Sequence, residues 1–177
     1  MPFFVIQTQS RAEERLLGGA GRLHPELREQ LVWPRRRLRI RRGGQWRETL
    51  APIFPGYLFL RAAEVDVETF RSLKGLGGFV RFLESNSNIV ALGRSDTELL
   101  GHFLSFGEIV GNSVVSFDEQ RRIRVTSGPL RGLEGRIVKV DRRKGRARVR
   151  LELYNDSFLI DFGFSAIEPA AEPAASP

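Results

Sequence analysis

Over the first hundred residues, short apolar runs alternate with stretches of helical spacing. Phe3-Phe4-Val5-Ile6 reads as a central strand, because four consecutive apolar residues leave no face for solvent. Ser10 and Glu13 stand in a Ser-x-x-Glu pattern ahead of Leu16 and Leu17, which predicts a helix from about Arg11 with a capping box. Gly18, Gly19 and Gly21 are expected to end it. Leu31-Val32-Trp33-Pro34, an arginine run, Gly43-Gly44 and Gln45-Trp46-Arg47 predict two strands joined by a glycine turn. Phe54-Pro55-Gly56 turns into the dense strand Tyr57-Leu58-Phe59-Leu60, Val67, Phe70 and Leu73 have helical spacing, and Phe79 to Leu83 is another strand. Ser95 or Asp96 can cap a last helix carrying Leu99, Leu100, Phe103 and Leu104, which ends near Gly107. Two helices on a sheet of four or five strands, with a third behind, make residues 1–107 an α+β domain.

Helical spacing then stops. After a linker at 108–118, Ala147, Val149, Leu151 and Leu153 alternate with Arg146, Arg148, Arg150 and Glu152, the mark of a half-buried strand. Ile123/Val125, Ile137 to Val140 and Phe158/Ile160/Phe162 supply further strands, separated by turn residues at 127–129, 132, 144–145 and 155–156. Short strands at this density predict a small all-β barrel over 119–168, followed by an Ala/Pro/Glu tail at 169–177 that has nothing to pack and is expected to be disordered.

Composition narrows the chemistry. The 177 residues are 41% hydrophobic, enough for folded domains, and contain no cysteine, which excludes disulfides, zinc ribbons and thiol nucleophiles. No apolar run approaches the roughly 18 residues of a membrane span, and the start lacks the basic residues of a secretory signal, so a cytoplasmic protein is expected. His24 and His102 lack triad partners, Glu98 and His102 lack further metal ligands, and Gly18-Gly19-Ala20-Gly21 fits no phosphate-binding loop. No enzyme, cofactor or metal is expected.

Charge points to a binding role. Lys+Arg number 28 against 21 Asp+Glu, and only Lys74, Lys139 and Lys144 are lysines. Arginine's planar fork suits phosphate and stacks on bases, although a GC-rich genome produces the same bias. In the run 35–42, Arg35, Arg37, Arg39 and Arg41 share one strand face, whereas Arg36, Leu38, Ile40 and Arg42 share the other. Four guanidinium groups on one face repel unless they are solvated or matched to phosphates. A solvated arm and a nucleic-acid backbone contact are the two readings, with Arg11, Arg15, Lys74 and Arg81 as possible extensions.

Two motifs carry a resemblance. Phe54-Pro55-Gly56-Tyr57 resembles a turn of the NusG family of transcription elongation factors, and the stretch 127–135, Ser-Gly-Pro-Leu-Arg-Gly-Leu-Glu-Gly, resembles the opening of that family's KOW barrel. Phe3-Phe4-Val5-Ile6-Gln7 and Gly78-Phe79-Val80-Arg81-Phe82 stand where the family has an aromatic strand ending in Gln and a Gly-Phe strand. The resemblance implies an NGN-like N-terminal domain and an SH3-like KOW domain, with Gly128, Pro129, Gly132 and Gly135 as the KOW motif. It also implies docking on the clamp helices of RNA polymerase through Phe4, Gln7, Phe54, Pro55, Gly56 and Tyr57, close to DNA or RNA. Phe3-Phe4 departs from the family's usual Trp-Tyr pair.

Residues 128–135 with 140–147 look most like the specialised LoaP type, antiterminators of selected operons, some of which recognise an RNA hairpin. The general factor, which modulates pausing and couples to Rho or the ribosome, is the alternative, and a stand-alone RNA-binding regulator is a third. By the same analogy the KOW barrel recruits a small-subunit ribosomal protein or Rho, with Leu130, Leu133 and Phe164 expected as exposed rim contacts. The clean alternation at 146–153 argues against an RfaH-like refolding of the barrel into helices. A monomer without membrane contact is expected.

Overall fold

The computed structural model describes residues 1–167; the expected disordered tail at 169–177 lies outside the described residues. Contacts divide the chain into two compact units, one of Met1–Arg35 with Pro52–Glu108, the other of Arg36–Ala51 with the chain from Ile109 on.

In the first unit, β1 (Phe3–Thr8), α1 (Glu13–Leu23), α2 (Pro25–Gln30) and β2 (Leu31–Val32) come first. After an excursion of the chain into the second unit, as the arginine strand β3 (Arg35–Arg42) and its partner β4 (Gln45–Pro52), the first unit continues with β5 (Tyr57–Arg61), α3 (Val67–Gly75), β6 (Phe79–Phe82) and α4 (Arg94–Leu104). The sheet of this unit has the order β2-β5-β1-β6. Antiparallel register sets Phe4 opposite Leu60 and Ile6 opposite Leu58, whereas Val5 faces Phe59 and Gln7 faces Tyr57. Because side chains alternate across a sheet, the first set packs on one face with Leu16, Leu17 and Ala20 of α1 and Leu73 of α3. On the opposite face the ring of Phe54 meets Phe59 at 5.6 Å and Phe103 of α4 at 6.1 Å, both edge to face. Each such buried side chain contributes about 1.5–3 kcal/mol of transfer free energy.

Several local expectations change. Ser10 makes no cap: α1 starts at Glu13 after Ala12, with no side-chain cap bond. Gly18, Gly19 and Gly21 lie inside α1 instead of ending it, and a Cβ on Gly19 would come within 3.2 Å of Leu76, so a small residue lets α1 pack closely there. Ser95 and Asp96 sit within the first turn of α4, whose cap position is Gly93. Asp66, not singled out in the sequence, caps α3 and accepts the Thr69 N–H at 2.7 Å. The short helix α2, introduced by Pro25, went unread in the sequence.

The second unit holds β7 (Ile109–Val110), β8 (Ser113–Phe117), β9 (Ile123–Ser127), β10 (Ile137–Asp141), β11 (Arg146–Leu153) and β12 (Asp156–Ala166). Its five-stranded sheet runs β10-β11-β12-β8-β9, and a three-stranded sheet runs β4-β3-β7. Ala147, Val149, Leu151 and Leu153 are all fully buried, as their alternation requires. Ser113–Phe117, read as linker, is a barrel strand, with β12 running parallel to it through Phe164, Ser165 and Ala166. The following motif is clamped onto it: the Leu130 N–H donates to Ser113 Oγ at 2.9 Å. Gly128 has φ +94°, and a Cβ there would stand 2.6 Å from Ser113 Cα, so glycine is required on both counts.

The arginine hairpin, expected within 1–107, belongs to this second unit apart from its end residues Arg35 and Pro52. The physical reason is a pair of long-range bonds. Buried Arg36 donates Nε–H to the Asp161 carbonyl at 2.6 Å, and Arg146 donates from a terminal guanidinium nitrogen to the Arg39 carbonyl at 2.5 Å.

Candidate functional site

A depression in the first unit forms where β1 ends beside the turn into β5. Phe54-Pro55-Gly56-Tyr57 closes with the Tyr57 N–H donating to the Phe54 carbonyl at 3.2 Å, and Gly56 has φ +86°, as a type II turn demands after Pro. Both backbone groups of Gly56 are fixed: its carbonyl accepts the Thr8 N–H at 2.8 Å, and its N–H donates to Glu13 Oε1 at 2.7 Å. Glu13, expected to serve a capping box, is instead buried and ties the turn to α1. Beside this brace lies a groove of about 620 Å³ lined by Gln7, Thr8, Trp33, Pro55 and Tyr57 among others.

Two polar atoms in the groove residues are buried without a hydrogen-bond partner, Thr8 Oγ1 and Trp33 Nε1. Such orphans cost about 1–3 kcal/mol each. Trp33 also carries the Arg35 guanidinium over its ring, 4.6 Å from the centroid.

The expected contact set separates. Gln7 and Tyr57 face each other across β1 and β5 and line the groove with Pro55 and Gly56. Phe4 points to the opposite sheet face and is core, and Phe54 is buried between Phe59 and Phe103, so neither lines the groove. Thr8, Glu13 and Trp33 were missed. The available signals were a polar residue closing an apolar strand and a tryptophan held before proline.

Basic side chains occur in both units. In the first, Arg11, Arg15, Lys74 and Arg81 are exposed. Arg11 borders the groove with φ +58°, while Arg15 and Arg81 donate to Gln9 and Gln7 at 3.0 and 2.8 Å. In the second, the strand parity of β3 holds: Arg36 and Leu38 point inward, and Arg37, Arg39 and Arg41 are exposed. These cations are partly engaged. Arg37 pairs with Glu48 at 2.5 Å, Arg39 lies over Trp46 at 5.5 Å, and Arg41 donates to the Gly44 carbonyl at 3.2 Å.

Asp161 anchors the second unit's charges. Arg148 grips it with two bonds, at 2.7 and 3.2 Å, and these hydrogen bonds hold the carboxyl below its ordinary value of 3.8. Burial lowers the Arg36 guanidinium to about 10, with Asp161 opposing that shift and Arg146 adding to it.

In the barrel, Leu130, Leu133 and Phe164 are buried, which corrects their expected role as exposed rim contacts. Period-two patterning could not reveal this, because two of them lie in a loop whose fold depends on β8. The exposed large apolar residues here are Val138, Leu159 and Ile167, each about half exposed. Of the motif glycines, Gly132 takes φ +82°, but a Cβ on Gly135 would meet nothing within 4 Å, and nothing in the structure explains that residue. Glu98 pairs with Arg94 at 3.0 Å, and the His102 ring packs against Phe103 and Phe106. Among the described residues no group of three or more His, Cys, Asp or Glu could hold a metal, and no helix is long and apolar enough to cross a membrane.

The family model described as "Transcription termination factor nusG" matches residues 1–100, and the KOW motif model matches 119–152. The chain belongs to the NusG family. NusG proteins are transcription factors, not enzymes, and the α+β unit followed by a β-rich KOW region agrees with that membership. The chain is 24% identical over 140 residues to the transcription termination/antitermination protein NusG of Thermus thermophilus, covering 74% of each. It is 23% identical over 175 residues to the protein of the same name in Escherichia coli O6:H1, covering 95% of this chain and 96% of that one. The solved structure described as "Domain interaction in Thermotoga maritima NusG" aligns with a TM-score of 0.52 at 16% identity, over 92% of this chain and 93% of that one, a likeness of fold.

Proposed function

We propose that this NusG-family protein is a cytoplasmic elongation factor that docks on the clamp helices of RNA polymerase through the groove beside the Phe54–Tyr57 turn. Its arginines touch neighbouring DNA or RNA, and it promotes antitermination on selected operons in the manner of the LoaP type. The groove supports the reading: a turn braced by Glu13, and a lining that includes Trp33, Tyr57, Gln7 and Pro55. No covalent step is needed. A factor that binds the closed clamp better than the open one shifts that equilibrium by its differential affinity, so a few kcal/mol suppress pausing.

The resemblance of 128–135 and 140–147 and the arginine excess support the specialised type. The general factor is the second reading, favoured by the names of the relatives. In it the barrel recruits Rho or a small-subunit ribosomal protein, and Val138 and Leu159 are the apolar contacts available on its surface.

The test is equilibrium binding of the purified chain to a reconstituted elongation complex of its own polymerase. Gln7→Ala with Pro55→Ala changes the groove at half-buried and exposed positions and is expected to weaken binding about tenfold, or 1.4 kcal/mol. Wild-type affinity in that variant overturns the groove as the docking site. Absence of wild-type binding, with RNA binding retained, favours the stand-alone RNA regulator.

A further inference from the structure

The second unit contains a cleft on which the basic stretch 142–146 and the arginine hairpin converge. Its walls come from the hairpin (Leu38, Arg39, Trp46), the turn between β10 and β11 (Arg142, Arg143, Lys144) and the last residues of β12. Arg146 closes one side, and the volume is about 340 Å³, the scale of a small-ligand site. Five cationic side chains line it and no carboxylate does.

These cations are not a loose fan. Arg39 lies over the half-exposed ring of Trp46, 5.5 Å from its centroid, and Arg142 lies over Phe117 at 3.7 Å. Arg146 is held by its bond to the Arg39 carbonyl, and its Nε is buried with no hydrogen-bond partner. The nearby acids are occupied: Asp141 accepts the Lys144 backbone N–H at 2.9 Å and lies 3.9 Å from its ammonium, while Asp161 is gripped by Arg148. Backbone shapes part of the wall, since the Phe164 N–H donates to the Gly145 carbonyl at 2.8 Å and a Cβ on Gly145 would strike the Phe164 carbonyl. Clustered like charges around a half-exposed aromatic ring are costly in isolation and complementary to one ligand chemistry, a flat ring joined to phosphates.

We infer that this cleft is a nucleotide-sized site for single-stranded nucleic acid. One unpaired base stacks on Trp46 beside Arg39, and the adjoining phosphates lie against Arg142, Arg143 and Lys144. A base held in a duplex has no free face to offer, so the site selects single strands. This deepens the nucleic-acid part of the reading above and assigns it to residues of which only Arg39 was expected. It does not depend on the polymerase groove.

Anisotropy of a labelled mixed-sequence RNA of about a dozen nucleotides, within the site sizes of single-strand binders, tests it on the full chain. Single-stranded DNA and a duplex of the same sequence serve as the other arms. The single strands are expected to bind at least tenfold more tightly than the duplex. Preference for RNA over DNA identifies the source as RNA, whereas equal binding of both leaves the site sequence- and sugar-blind. Trp46→Ala is expected to cost about tenfold, with Trp46→Phe restoring most of it. The triple variant Arg142→Ala, Arg143→Ala, Lys144→Ala is expected to flatten the slope of log affinity against log salt by about 0.7 for each phosphate released. Circular dichroism checks that Trp46→Ala remains folded, and should it unfold, the triple variant and the duplex arm decide. Unchanged affinity in folded Trp46→Ala, an unchanged salt slope in the triple variant, or duplex binding equal to single strand overturns the site. The Gln7→Ala, Pro55→Ala variant is expected to bind RNA normally, so failure of the polymerase reading and failure of this one are told apart.

Discussion

The groove of the first unit and the cleft of the second are built on opposite principles. The groove is shaped by one hydrogen-bonded turn, and Trp33, Tyr57 and two orphan polar atoms among its residues offer shape and short-range polarity. The cleft is lined by five cations around Trp46 and offers charge. Shape-built sites respond to packing changes and little to salt, whereas charge-built sites respond to salt and to the loss of each cation. The two proposed binding surfaces are therefore disabled by different experiments.

The largest effect belongs to the core behind the groove. Phe54→Ala removes a fully buried ring from between Phe59 and Phe103 and is expected to destabilise the first unit by about 3–5 kcal/mol, read by chemical denaturation. Polymerase binding is then lost through unfolding. The contrast with the surface pair Gln7 and Pro55 separates support of the groove from contact in it.

Next comes the lock on the hairpin. Arg36→Ala removes the bond to the Asp161 carbonyl and is expected to cost about 1.5–3 kcal/mol, visible as faster amide exchange in β3 and β4. Amide protection equal to wild type would show that the hairpin is held by other contacts. Thr8→Val is expected to act in the other direction. Replacing a buried hydroxyl that has no partner with a methyl group should raise stability by about 1 kcal/mol while weakening polymerase binding, if docking uses that hydroxyl. A stabilised variant with unweakened binding assigns Thr8 to folding alone.

The smallest effect is acid sensitivity. Asp161 is held below 3.8 by the hydrogen bonds from Arg148, so its contribution to stability is complete above that value and disappears as pH falls through the lowered one. Solvent screening keeps it to about 1 kcal/mol or less. Asp161→Asn should remove this part of the acid dependence, measured as denaturation midpoint against pH.

Much of the architecture was legible because it rests on local regularities. The alternation of 146–153 fixes which side chains of β11 are buried, Pro55-Gly56 dictates a turn, and Gly43-Gly44 joins two strands. The misreadings share a cause. Ser10-x-x-Glu13 is a valid cap pattern, but the same carboxylate gains more by satisfying the buried Gly56 N–H, and that partner lies 43 residues away. Leu130 and Leu133 look like exposed loop residues until β8 is recognised as a strand beneath them, and Ser113 offers no periodic signal strong enough to announce it.

By itself the sequence determined the elements whose hydrogen bonds and apolar faces close within a few residues, together with an arginine excess that sets the chemistry of one class of partner. Tertiary structure decided which of those elements share a site. It sent Phe4 and Phe54 into the core while leaving Gln7 and Tyr57 at the groove, and it fastened the arginine hairpin to β12 through Arg36. The reason is that burial and hydrogen-bond satisfaction are settled among groups far apart in the chain, whereas local pattern fixes only which face of each element is available to them.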